Sequence, residues 1–227
     1  MSGDGAGSVN VDVAVAVVDT GIDLTHPDLN VAGGVNCSTG RSFNDGNGHG
    51  SHVAGTITAR DNDIGVVGVA PGARLWAVRV LNNAGSGSWS NVICGVDWVT
   101  DHHDVIEVAN VSLGGSGTKP PGSGCVTGDA LHDAICTSVA AGVTYTVAAG
   151  NSADDAANHV PVAYDEVITV SALADFDGQP GRLGSATCRA DEDDTLADFS
   201  NIGADVDLIA PGCACSPPTR SAGGRRP

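Results

Sequence analysis

The chain has 227 residues, 41% of them hydrophobic and only 4% aromatic, with 32 glycines. That is enough for one large α/β domain, with a core of Val, Ala, Ile and Leu and many tight turns. The net charge of −17 argues against nucleic acid as a partner, because phosphate binding needs Lys and Arg, and no apolar run reaches the roughly 18 residues of a membrane-spanning helix.

In chain order, Val-rich apolar runs bounded by Gly, Asp or Asn occur at 11–19, 74–81, 105–114, 142–150, 166–173 and 206–212. They are continuous rather than alternating, as strands buried on both faces of a parallel sheet read. Helix patterns lie between them at 49–60, 89–102 and 128–142, the last stopped by Gly142. Residues 174–199, rich in Asp and Gly, read as surface loops. The alternation predicts a doubly wound, mostly parallel α/β sheet with helices on both faces, in a single domain over 1–212. Such sheets place their sites at the carboxyl ends of strands, here Asp19, Ser112-Leu113-Gly114 and Gly150-Asn151.

Seven cysteines include no CxxC pair, so zinc spacing is absent. Cys125 and Cys136 bracket a short loop and suit either a local disulfide, with an oxidising compartment, or two small buried thiols. The first ten residues, MSGDGAGSVN, lack the charged-then-apolar pattern of a leader.

Three short stretches carry the chemistry. In AVVDTGID, Asp19 closes a strand before a Thr-Gly turn. In DGNGHGSHVAGT, His49 stands between glycines at a helix start and His52 lies one turn inward. In AAGNS, Asn151 follows a Gly at another strand end, where a side-chain amide can donate to a developing oxyanion. Each alone has an ordinary structural explanation: a strand-end cap, a packed histidine, a turn residue.

Together and in this order, VVDTGID with HPDL, GHGSHVAGT and AAGN resemble the subtilisin-like serine peptidases. The likeness extends through GVVGVAPGARLWAVRVL, SLGG and FSNIGADVDLIAPG, from Val11 to Gly212. It implies that Asp19 orients His49, that His49 is general base and then general acid, and that Asn151 serves the oxyanion hole. It implies a polypeptide substrate paired along Gly85, Ser86 and Gly87, with Trp89 walling a subsite. Ser112, Leu113 and Gly114, with Ala149 and Gly150, form the opposite edge and the main specificity pocket. Trp89 can equally be a core aromatic at a helix start. The likeness also implies a calcium loop, with Asp28 giving a carboxylate, Asn62 its side-chain oxygen, and Arg60, Ile64 and Val66 their carbonyls. A secreted monomer, with an inhibitory pro-segment upstream in the precursor, is the family expectation.

The family's nucleophile lies in Gly-Thr-Ser-Met-Ala at a helix start, and these 227 residues contain no such motif. After Ala-Pro-Gly the chain reads CACSPPTRSAGGRRP, with three of its ten basic residues. Read one base out of frame from Gly212, permitted codons spell Leu-Arg-Val-Leu-Ser-Thr-Tyr-Pro-Val-Gly-Gly-Trp, which suits the family. The expectation is therefore a frame-shifted, disordered tail over 213–227, an incomplete peptidase domain over 1–212, and loss of activity and of sheet cover. The rivals are a catalytically dead peptide-binding module and a non-enzymatic α/β domain.

Overall fold

The computed structural model describes residues 11–63, 65–122, 124–187 and 189–212, so the tail expectation for 213–227 lies outside the described residues. Two compact units divide the rest, one of residues 11–110 and 141–143, the other of 111–140 and 144–212.

The first unit is built on strands β1 (Ala14–Asp19), β2 (Val31–Asn36), β3 (Arg74–Arg79) and all but the last residue of β4 (Val108–Val111), with helices α1 (His49–Thr58) and α2 (Trp89–Asp101). β1 and β2 both pair with β3 in parallel, and β4 flanks β1. Every residue of β1 is buried, because both of its faces are covered. Val15 and Val17 pack with Leu75, Ala77 and Ala54, joined by Val53 and Ile57 of α1. On the other face, a Cβ at Gly95 of α2 would stand 2.6 Å from Val80 and 2.8 Å from Val78. The helices therefore cover opposite faces, as the continuous apolar runs predict. Each fully buried valine contributes roughly 1.5–3 kcal/mol relative to exposure.

β2 was not legible in the sequence, because VAGGVN reads as a turn. Its glycines reflect close packing instead. A Cβ at Gly34 would lie 2.1 Å from the Ala77 carbonyl oxygen, and one at Gly33 would strike the Trp76 ring.

The second unit holds β5 (Gly115–Ser116), α3 (Ala130–Ala140), β6 (Thr144–Ala148), β7 (His159–Val160), β8 (Ile168–Ala174), β9 (Thr195–Leu196) and β10 (Leu208–Pro211). β8 pairs in parallel with β6 and β10 and antiparallel with β9, while β5 and β7 form a separate antiparallel ribbon. Gly142 follows α3 with a φ of +108°, the left-handed stop its position predicts. Two expectations need correction. The 206–212 run does form a strand, but an exposed one: Leu208 and Ile209 are each 56% accessible, since β10 pairs only with β8 among the described residues. Residues 174–199 are not all loop, because β9 is stitched to the end of β8.

Disulfides join Cys125 to Cys136 in the second unit and Cys37 to Cys94 in the first. The second pairing had no local spacing to announce it. None of the described helices is long and apolar enough to cross a membrane.

Candidate active site

Asp19 ends β1 and is fully buried. Its Oδ1 accepts the Thr20 backbone N–H at 2.6 Å. His49 opens α1 with its side chain about half exposed, and its Nδ1 lies 2.8 and 2.9 Å from the two Asp19 oxygens. A carboxylate only accepts, so Nδ1 carries the proton and the neutral ring leaves Nε2 as the acceptor. The hydrogen bond to Asp19 raises the imidazole pKa above its usual value; partial burial opposes this, and the Asp19 and Asp45 charges reinforce it.

The helix start that holds His49 lacks a side-chain cap at Gly48. Asp45 takes over that work. Its Oδ1 accepts from the backbone N–H groups of Asn47 and Gly48 and from the Thr20 hydroxyl, and its Oδ2 accepts from the Ser51 N–H and hydroxyl. Burial would raise its pKa, but the Ser51, Gly48 and Asn47 bonds outweigh that and hold it low. Thr20 Oγ1 in turn accepts the Gly50 N–H at 2.9 Å, which ties the strand end to the helix.

In the same unit, Gly85 has a φ of +74° and closes a turn whose Asn82 and Ser86 exchange backbone and side-chain bonds. Residues 83–90 are exposed, and Ser88 is extended just ahead of α2. A Cβ at Gly87 would meet the Val80 carbonyl oxygen at 2.6 Å. Trp89 is the first residue of α2 and 37% exposed, so it is not a core aromatic.

In the second unit, segments 112–116 and 148–152, with His159 and Val162, line a pocket of about 310 Å³. Ser112, Leu113, Gly114, Ala149, Gly150 and Asn151 all border it. Gly150 has a φ of +106°, which turns the chain so that Asn151 is exposed at the pocket. His159 is the single titratable side chain of the lining, and its Nε2 lies 3.2 Å from Asp154 Oδ2.

Asp28 is fully buried, and its Oδ1 accepts from the Asn62 amide at 2.7 Å. Its Oδ2 is buried with no partner among the described residues. The Arg60 N–H donates to the Asp28 carbonyl at 3.2 Å, which ties the residue after α1's C-cap to it. The orphaned, buried carboxylate oxygen is a hard donor of the kind calcium takes, whereas the Asn62 side chain presents its NH₂ rather than its oxygen to Asp28. The expected ligand Ile64 lies outside the described residues.

Sequence reasoning missed Asp45 and His159. Asp45 had a signal, an Asp just ahead of a helix start. His159 had none, because ANHVP reads as ordinary loop.

These features define an α/β protein with a carboxylate-held imidazole at one strand end and a pocket of about 310 Å³ at another. The model of the subtilase family matches residues 10–225. Subtilisin DY of Bacillus licheniformis is 40% identical over 210 residues, covering 91% of this chain and 66% of that protein. Subtilisin E of Bacillus subtilis (strain 168) is 39% identical over 211 residues, covering 91% of this chain and 48% of that protein. A crystal structure of a cold adapted subtilisin-like serine proteinase matches with a TM-score of 0.69 and 34% identity, over 88% of this chain and 63% of that one. The chain belongs to the subtilase family. It spans about half to two thirds of the length of these relatives.

Proposed function

We propose that this chain is the acid–base, oxyanion and substrate-binding part of a subtilisin-type serine endopeptidase, which hydrolyses peptide bonds through an acyl-enzyme. The Asp19–His49 contact carries the reading, since both carboxylate oxygens reach the one ring nitrogen. In this reaction His49 Nε2 takes the proton of a serine hydroxyl and returns it to the leaving amine. The buried carboxylate fixes the tautomer and stabilises the imidazolium. The Asn151 amide donates to the oxyanion. Gly85–Gly87 in the first unit and Ser112–Gly114 in the second are each assigned to pairing with extended polypeptide, and the pocket of the second unit to one of its side chains.

The serine is the element the 227 residues do not supply in a Gly-Thr-Ser setting. Turnover is therefore assigned to a chain that carries such a serine, and peptide binding to the 227-residue chain. The test is to compare it with the same chain continued by the Gly-Thr-Ser segment of subtilisin DY. A fluorophosphonate probe should label the extended chain and spare both the 227-residue chain and the extended H49A. A folded extended chain that neither labels nor cleaves peptide would refute the endopeptidase reading; peptide binding without labelling would favour the binding module.

Calcium at Asp28, with Asn62 and the carbonyls of Arg60, Ile64 and Val66, belongs to the same reading. Bound there, it would neutralise the buried carboxylate and brace the 60–66 loop. The orphaned Asp28 Oδ2 supports this assignment. Two disulfides support an oxidising, extracellular setting. A monomer that acts on polypeptides, released from a pro-segment, completes the proposal.

A further inference from the structure

Asn201 is fully buried and lies within the FSNIGADVDLIAPG stretch, yet no role is read for it in the sequence. Its side-chain oxygen accepts the Ser152 N–H at 2.9 Å and the Asp154 N–H at 3.2 Å. Its backbone N–H donates to the Gly150 carbonyl at 3.0 Å, and its own carbonyl accepts the Ser171 hydroxyl at 2.7 Å. The neighbours of Asn201 continue the grip. Phe199 O accepts the Ala153 N–H at 2.9 Å, and the Ile202 N–H donates to Asp154 O at 2.9 Å. Between the two amides that Asn201 holds, Ala153 has a φ of +51°, a conformation an alanine adopts only when its surroundings impose it.

The orientation of the amide is fixed by chemistry. Both partners of its oxygen are N–H donors, so the oxygen must face them and the NH₂ must face away. That NH₂ is buried with no partner among the described residues. It faces Gly150, where a Cβ would come within 2.5 Å of it. A buried donor left unpaired is costly, so stability alone does not explain an asparagine here. Its oxygen has the geometry to span two amides two residues apart.

We infer that Asn201 is the positioning residue for Asn151: one side-chain oxygen locks the 150–154 turn and so aims the Asn151 amide and sets the pocket wall. The inference rests on the reading of Asn151 as an oxyanion donor, but its geometric part can be tested without turnover. Only the oxygen matters, so aspartate at 201 keeps the clamp, whereas leucine, of similar shape, abolishes it.

The experiment uses the ¹⁵N-labelled 227-residue chain and its N201L and N201D variants. It follows the Asn151 side-chain amide and the Ser152 and Asp154 backbone amides, and titrates acetyl-Ala-Ala-Pro-Leu as a product-like peptide. The expected result is that N201L shifts the Asn151 resonance, speeds exchange at Ser152 and Asp154, and weakens the peptide about tenfold, with N201D restoring all three. If N201L loses its dispersed spectrum, N201S, whose hydroxyl is too short to span both amides, replaces it. An Asn151 resonance unmoved in N201L or N201S, or an N201D no better than N201L, overturns the inference. If the resonances follow Asn201 but no variant binds the peptide, the positioning claim stands and the peptide-binding reading falls.

Discussion

The two units hold their functional groups by different means. In the first, the site is built from charge: buried Asp19 and capping Asp45 surround the imidazole of His49. In the second, the donors are neutral dipoles, Asn151, the backbone around Gly150 and the Asn201 amide beneath them, with His159, beside Asp154, the one titratable group of the lining. The contrast matches the tasks assigned to them. Proton transfer needs a base whose tautomer and pKa are set by a fixed charge. Oxyanion binding and side-chain recognition need donors held rigid before the charge appears.

If that division is right, substitutions in the two units should differ in size and kind. The largest effect belongs to the charged unit. In the chain continued with a Gly-Thr-Ser segment, H49A should lower kcat on the order of 10⁶-fold. D19N should cost about 10⁴-fold, because the ring then loses the tautomer the carboxylate imposes. In the dipolar unit, N151A should cost roughly 10²–10³-fold in kcat with KM little changed, because the donor acts on the transition state alone. Steady-state kinetics on a peptide anilide reads all three. A KM-dominated loss in N151A would place it among binding groups and blur the contrast.

Stability offers smaller tests. Replacing both Cys125 and Cys136 by serine opens a cross-link confined to the second unit and should cost about 2–4 kcal/mol in chemical denaturation. Chelation should lower Tm through the first unit if calcium binds at Asp28, since a ligand at 100 times its Kd contributes about 2.7 kcal/mol. D28N should remove the chelator's effect. No chelator effect on the parent chain would count against calcium. Smallest is pH. The raised His49 pKa means that the ion pair contributes fully below about 6.5, and that this contribution is lost as pH rises through the higher folded value. The depressed Asp45 pKa works oppositely, contributing above about 3.8 and lost as pH falls through its folded value. Denaturation midpoints of D45N against the parent should converge at low pH and separate above it.

Much of the fold was legible because parallel strands advertise themselves. A run such as AVAVVD is apolar throughout only when both faces are covered. The strand-end residues Asp19 and Asn151 and the helix-opening His49 were legible because each sits at a turn where the chain changes element. What stayed hidden depends on distant partners. VAGGVN forms a strand because Gly33 and Gly34 fit against Trp76 and Ala77, over forty positions away. Cys37 finds Cys94 across a separation of 57 residues, and Asn201 grips amides nearly fifty positions earlier. No local pattern encodes such contacts. β10 shows the reverse limit, since LIAP looks like core and is exposed.

The most direct measurement is an NMR pH titration of the His49 ring in the 227-residue chain and in D19N. The contact with Asp19 predicts a pKa above 6.5 in the parent chain and a return toward 6.5 in D19N. A parent ring that titrates at or below 6.5, or one that D19N leaves unchanged, would contradict the claim that a buried carboxylate governs this imidazole.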